Sequence, residues 1–171
     1  TGDFREVVEY ARERFITVVP EIDVPGHSMA LLTAYPEISC TGGPFHVNVG
    51  NTFYTKEENS LCVGKEKTFA ILDMIFDELV DLFPSSYIHI GGDECYKGFW
   101  AKCPDCRARM SSKQLQNVEE LQSYFVKRVA SHIQSKGKHV IGWDEILEGG
   151  LAKDAIVMSW RGMKGGVEAA R

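Results

Sequence analysis

Stretches with helical spacing of apolar side chains alternate along this chain with short β-branched runs, and that alternation limits the fold more than any other feature. Asp3 with Glu6 reads as a capping box, followed by Phe4, Val7, Val8, Ala11 and Phe15 at helical spacing. Ile16-Thr17-Val18-Val19, ending in Pro20-Glu21-Ile22-Asp23, reads as a buried strand. Pro25-Gly26-His27 breaks it, and a short helix through Met29, Leu31 and Leu32 follows. Residues 36–64 are rich in Gly, Asn and Thr with no sustained period, the mark of a long irregular loop. Helical spacing returns from Thr68 through Phe69, Leu72, Phe76, Leu79 and Phe83, and Pro84 stops it. Tyr87-Ile88-His89-Ile90 is a strand that runs into Gly91-Gly92-Asp93-Glu94. After another loop, Asn117 caps a long helix with Leu121, Phe125, Val129 and Ile133 inward and Gly137 as its stop. Strands at 139–143 and 155–160 and a short helix from Gly165 complete the pattern. No internal repeat or low-complexity linker interrupts it.

Strands alternating with helices call for parallel pairing and right-handed crossovers. Residues able to do chemistry recur where strands end: Asp23 to His27, Asp93-Glu94, Trp143-Asp144-Glu145 and Trp160-Arg161. Both a (β/α)8 barrel and an open doubly wound sheet gather active residues at that edge. Four strands are half a barrel, and a whole one takes about 250 residues. The 171 residues are therefore expected to form a segment of a larger catalytic domain, α/β in class, with about four parallel strands and intervening helices.

The net charge of −5 without a long Lys/Arg run is a poor match to nucleic acid or an anionic membrane, so neither is an expected partner. Apolar runs fall far short of the roughly 18 residues of a membrane span. Thr1-Gly2-Asp3-Phe4-Arg5 shows neither a signal-peptide pattern nor an initiator Met, as an excised piece would, and leaves targeting undecided. The 5 cysteines, Cys40, Cys62, Cys95, Cys103 and Cys106, are odd in number, so one thiol at least is free or pairs between chains. Cys103-Pro104-Asp105-Cys106 is a lone CxxC without the second ligand pair of a closed zinc site. It reads as a loop with incidental cysteines or a local disulfide, with metal or redox chemistry the less favoured reading. No cofactor is expected.

His89-Ile90-Gly91-Gly92-Asp93-Glu94 is the sharpest local feature. Its glycines let the backbone turn tightly or approach a ligand. Two neighbouring carboxylates in a cleft raise at least one pKa, and an acid poised near pH 6–7 suits protonation of a leaving alkoxide. A solvated acidic turn is the plain alternative. Trp143 and Trp160 end neighbouring strands, where flat apolar faces could stack on sugar C–H groups or simply fill a core. His27 is aimed from a strand end and could bond a carboxylate, bind a metal or cap a helix. Asp23 or Glu21 could orient it, and Glu145 is either a pocket acid or a loop charge. Three functions stay open on these residues: a glycosidase, a metal-dependent barrel hydrolase using His27, His89 and Asp93, and a non-catalytic carbohydrate-binding module. Against the metal reading, His89 lies within a strand and no HxH pair is present.

Val19-Pro20-Glu21-Ile22-Asp23-Val24-Pro25-Gly26-His27, His89-Ile90-Gly91-Gly92-Asp93-Glu94 and Gly142-Trp143-Asp144-Glu145 together resemble glycoside hydrolase family 20, the β-N-acetylhexosaminidases, in order and spacing across essentially the whole chain. The resemblance implies a (β/α)8 barrel and removal of terminal β-linked N-acetylglucosamine or N-acetylgalactosamine from glycans. It implies substrate-assisted retention, in which the sugar's own acetamido oxygen attacks the anomeric carbon. Glu94 would be the general acid and then the base that activates water. Asp93 would hold the acetamido N–H and stabilise developing positive charge. His27 would support the acid, Trp143 and Trp160 would wall the acetamido pocket, and Asp23 and Glu145 would support the site. A secreted, periplasmic or lysosomal setting follows from family habit. The resemblance places the chain between the helix before barrel strand three and the region after strand six. The family's strand-one arginine, and its tyrosine, third tryptophan and further acid on the last two strands, then have no counterpart in this chain. Cys95 adds a thiol beside the acid. Taken alone, residues 1–171 are expected to have little or no activity and to self-associate through exposed strand edges.

Overall fold

The computed structural model describes residues 2–47 and 58–171; part of the long loop expected at 36–64 therefore lies outside the described residues. Helix α1 spans Gly2–Arg12, α2 Met29–Ala34 and α3 Glu66–Leu82. Strand β1 (Tyr87–His89) is followed by α4 (Gly98–Lys102), α5 (Pro104–Lys113) and α6 (Val118–Ser135). Strand β2 (His139–Trp143), a 3-10 turn at Asp144–Leu147, β3 (Ile156–Met158) and α7 (Met163–Ala169) complete the order.

Among the described residues the strands form a parallel sheet in the order β1-β2-β3, with Tyr87 opposite His139 and Ile141 opposite Ile156. A fourth extended segment joins it at the free edge of β1. The His89 N–H donates to Pro20 O at 2.9 Å, Ile22 N–H to His89 O at 3.1 Å and Val24 N–H to Ile90 O at 2.9 Å. The chain thus pairs from Pro20 to Val24. The β-branched run Ile16–Val19, expected as a buried strand, lies ahead of that pairing, with Ile16 58% and Val19 39% exposed. β-Propensity alone does not bury a segment that has no sheet neighbour.

The two long helices follow the apolar period. Phe69, Leu72 and Phe76 of α3 pack with Leu121, Phe125, Val129 and Ile133 of α6 over Ile88, Ile90 and Val140 of the sheet. Phe69 and Phe125 meet at 5.7 Å, and the Arg128 guanidinium lies 3.9 Å from the Phe69 ring centre. The Asn117 side chain accepts the Glu120 N–H at 2.8 Å, which satisfies one orphan donor of α6. Alternation along the strands leaves His89, Ile141 and Trp143 on the opposite face, where the functional residues gather.

Three local expectations differ from the structure. Asp3 lies inside the first turn of α1 rather than before it, so it is not the cap of a capping box. The apolar stripe of α1 finds little cover, and Phe4 stays 57% exposed. The stretch after Glu94, expected as a loop, contains α4 and α5. Both are short, and α5 is mostly polar (PDCRARMSSK), so neither shows an apolar period.

Candidate active site

The site forms where the parallel strands end. Gly91 and Gly92 carry φ of +67° and +96°, conformations that glycine adopts without strain. A side chain at Gly91 would collide with the Asp23 carboxylate, so the β1 exit lies directly against the Pro20–Val24 strand. Asp23 Oδ1 accepts the Gly92 N–H at 3.3 Å. Glu94 (φ +45°) and His27 (φ +47°) are both held in the left-handed region, which side chains rarely occupy. Such strain persists only where the surroundings enforce it, and it clusters at functional sites.

These turns bring four of the residues singled out from the sequence to one place. His27 Nε2 lies 3.4 Å from Asp93 Oδ2 and 3.4 Å from Glu94 Oε2, so one imidazole bridges both carboxylates. Burial and the neighbouring Asp93 carboxylate push Asp23 up to about 8. Both effects favour the neutral form of the Asp23 carboxyl. Asp93 Oδ1 is buried with no hydrogen-bond partner among the described residues. Burying an acceptor in this way is costly unless a ligand donor completes it. Asp23, His27 and Asp93 each offer one ligand atom, and these lie within 4.8 Å of one another; His89, which the metal-dependent reading used with His27 and Asp93, is not in that group. Cys95 is buried behind the acid, and burial pushes its thiol up to about 12, so it stays a neutral thiol.

A second group faces Glu94 across an open cleft of about 310 Å³, lined by Glu94, Lys97, Gln122, Glu145, Trp160 and Arg161 among others. Trp160, half exposed, donates its indole N–H to Glu145 Oε2 at 3.0 Å. Its backbone N–H donates to Asp144 Oδ1 at 3.0 Å, and Arg161 Nε donates to Asp144 Oδ2 at 2.8 Å. Burial raises Asp144, but the Arg161 guanidinium and the Trp160 N–H outweigh it and hold the carboxyl below its usual range. Glu145 is therefore a buried acceptor that fixes the Trp160 ring, not a loop charge.

Trp143 stands apart from that cleft. Its ring packs edge-on against His89 at 4.8 Å, and its Nε1 donates to Glu21 Oε1 at 3.2 Å. His89 Nδ1 lies 3.0 Å from the same carboxylate oxygen and accepts the Gly91 N–H at 3.1 Å. Burial outweighs the nearby carboxylates and pulls the His89 pKa down, so its ring is neutral. Glu21 thus positions Trp143. Gln122 was not legible as a site residue. It is buried on α6 and donates Nε2–H to Gly92 O at 2.8 Å, bracing the turn that carries Asp93. A polar residue on an inward helical face was the available signal.

Residues 1–171 match the catalytic domain of glycosyl hydrolase family 20 over their whole length. The chain belongs to that family. It is 49% identical over 166 residues to a beta-hexosaminidase of Porphyromonas gingivalis, covering 97% of this chain and 21% of that protein. It is 36% identical over 170 residues to a beta-hexosaminidase of Vibrio furnissii, covering 99% of this chain and 28% of that protein. A crystal structure of a beta-N-acetylhexosaminidase from Bacteroides fragilis superposes with a TM-score of 0.87 at 37% identity, over 99% of this chain and 34% of that one. A chitobiase from Flavobacterium johnsoniae superposes at 0.83 with 42% identity, over 96% of this chain and 25% of that one. The family 20 chain therefore spans a fifth to a third of these relatives, and its α/β fold with parallel strands is a segment of their (β/α)8 barrel.

Proposed function

We propose that the complete protein carrying this segment removes terminal β-linked N-acetylglucosamine or N-acetylgalactosamine from glycans with retention, using the substrate's own acetamido group as nucleophile. The observation that carries this reading is the His27 imidazole lying 3.4 Å from both Asp93 and Glu94, with Asp23 braced against the same turn. Neighbouring carboxylates on one strand end cannot flank a sugar ring from opposite faces, as a protein nucleophile and an acid must. They can serve a reaction in which the substrate attacks itself.

In this scheme the acetamido oxygen bonds to the anomeric carbon as the glycosidic C–O bond breaks, and Glu94 delivers its proton to the leaving oxygen. Water then attacks the anomeric carbon, Glu94 takes the water's proton, and the ring C–O bond to the acetamide opens. Asp93 Oδ1, without a hydrogen-bond partner among the described residues, suits an acetamido N–H, and the carboxylate stabilises the positive charge that spreads over that group. Asp23 and His27 hold Asp93 in place. Trp160, fixed by Glu145, and Trp143, fixed by Glu21, supply apolar walls. The substrate-side residues of the remaining barrel strands complete the pocket. A secreted, periplasmic or lysosomal location is part of the proposal; no described helix is long and apolar enough to cross a membrane.

In the full-length protein, Glu94→Gln should lower kcat on an aryl β-N-acetylglucosaminide by about 10²–10⁴-fold, the usual contribution of a general acid. Turnover like that of the parent would remove Glu94 from the role. Undiminished hydrolysis in the presence of a strong chelator counts against a metal-dependent reaction at Asp23, His27 and Asp93.

A further inference from the structure

Four cysteines from three separate stretches of chain meet at one point, away from the carboxylates. Cys40 follows the 3-10 turn at Pro36–Ile38, Cys62 precedes α3, Cys103 is the N-cap of α5, and Cys106 lies in its first turn. Their four Sγ atoms lie within 4.8 Å of one another. Cys62 Sγ is 3.7 Å from Cys103 Sγ and 3.6 Å from Cys106 Sγ, and Cys40 Sγ is 3.8 Å from Cys106 Sγ. Tetrahedral zinc with Zn–S bonds of about 2.3 Å sets its sulfurs roughly 3.8 Å apart. Two disulfides would instead show two separations of about 2.05 Å, and would not require all four sulfurs to converge. All four are free thiols.

We propose that Cys40, Cys62, Cys103 and Cys106 bind a structural zinc ion. The lone CxxC is completed by two cysteines distant in sequence, each from a different segment. Cys62 and Cys106 are fully buried and Cys103 nearly so, which leaves no open coordination position for chemistry. The thiol pair of the CxxC sits at the start of a helix of 10 residues, where the dipole favours thiolate. Zinc binding displaces the remaining thiol protons to solvent, and four thiolates with one Zn²⁺ leave an excess of negative charge. Two cations border the ligands. Lys65 Nζ donates to Ser39 O at 2.7 Å and Glu37 O at 3.0 Å, and Arg109 donates to Gly64 O at 3.1 Å.

The backbone is shaped for the convergence. A Cβ on Gly64 would collide with the backbone of Asp105 and Cys106, so the segment leaving Cys62 lies directly on the CxxC turn. Trp100 Nε1 donates to Leu61 O at 2.9 Å beside it. The ion would tie the segment at Cys40 and the one at Cys62 to the start of α5. Coordination also shields thiols from oxidation, which reconciles free cysteines with an oxidising compartment. This inference does not depend on the glycosidase reading.

The test begins with the full-length protein purified without chelator. Elemental mass spectrometry should find about one zinc ion per chain. Cobalt(II) replacing it should show intense thiolate-to-cobalt absorption. The Cys103→Ser/Cys106→Ser double variant should hold no zinc, and Cys40→Ser should lose zinc to a competing chelator faster than the parent. Glu94→Gln should keep its zinc, which separates this site from the catalytic one. Metal-free parent protein, with the four clustered cysteines either free as thiols or mapped in two disulfides, would overturn the proposal. So would iron in place of zinc, or zinc retained by the double variant.

Discussion

Asp23 is the residue whose environment says most about the site. Its ionised form is disfavoured by burial and by Asp93, which raises its pKa from 3.8 to about 8 in the fold. The folded state therefore holds a proton that the unfolded chain releases. By linkage, this group's contribution is fully present below about pH 4 and is lost as pH rises toward about 8. Asp23→Asn should flatten the decline in Tm across that window in the full-length protein, measured by calorimetry at several pH values. An unchanged slope would mean that Asp23 is not the proton holder. His27, Asp93 and Glu94 were legible in the sequence because strand ends and glycines announce them. Glu21, Gln122 and the partners of Cys103 and Cys106 were not, because their roles come from segments that meet only in three dimensions.

Among the elements, the sequence was most readable where apolar period and length agree. Helices α3 and α6 follow their spacing closely, and Asn117 caps α6 as its position suggests. Asn117→Ala should cost about 1 kcal/mol of stability, read from urea denaturation, because the Glu120 N–H loses its acceptor. A change within about 0.2 kcal/mol would mean that water replaces the cap at no loss. The failures have the same physical root. The Ile16–Val19 run has strand composition, but pairing begins only at Pro20. Helices α4 and α5 are short, and they bury Trp100 and Cys106 rather than an amphipathic stripe. The parallel pairing of the strands followed from helix–strand alternation, which leaves it as the simple solution.

Across the molecule, the described residues leave apolar surface on α1, at Ile16 and on α7, where Met163 is 87% exposed. The outer edges of β3 and of the Pro20–Val24 segment have no strand neighbour among the described residues. Residues 1–171 expressed alone should therefore self-associate, seen as concentration-dependent growth in light scattering. A stable monomer across the concentration range would contradict this. Attack by the substrate's own amide can be measured on the full-length protein with aryl β-glucosaminides whose N-acetyl group carries zero, one, two or three fluorines. Fluorine withdraws electrons and weakens the amide oxygen as a nucleophile while barely changing the leaving group. With the amide as nucleophile, kcat should fall steeply with each fluorine. A kcat indifferent to fluorination would show that the amide does not attack, and the roles assigned to Asp93 and Glu94 would be wrong.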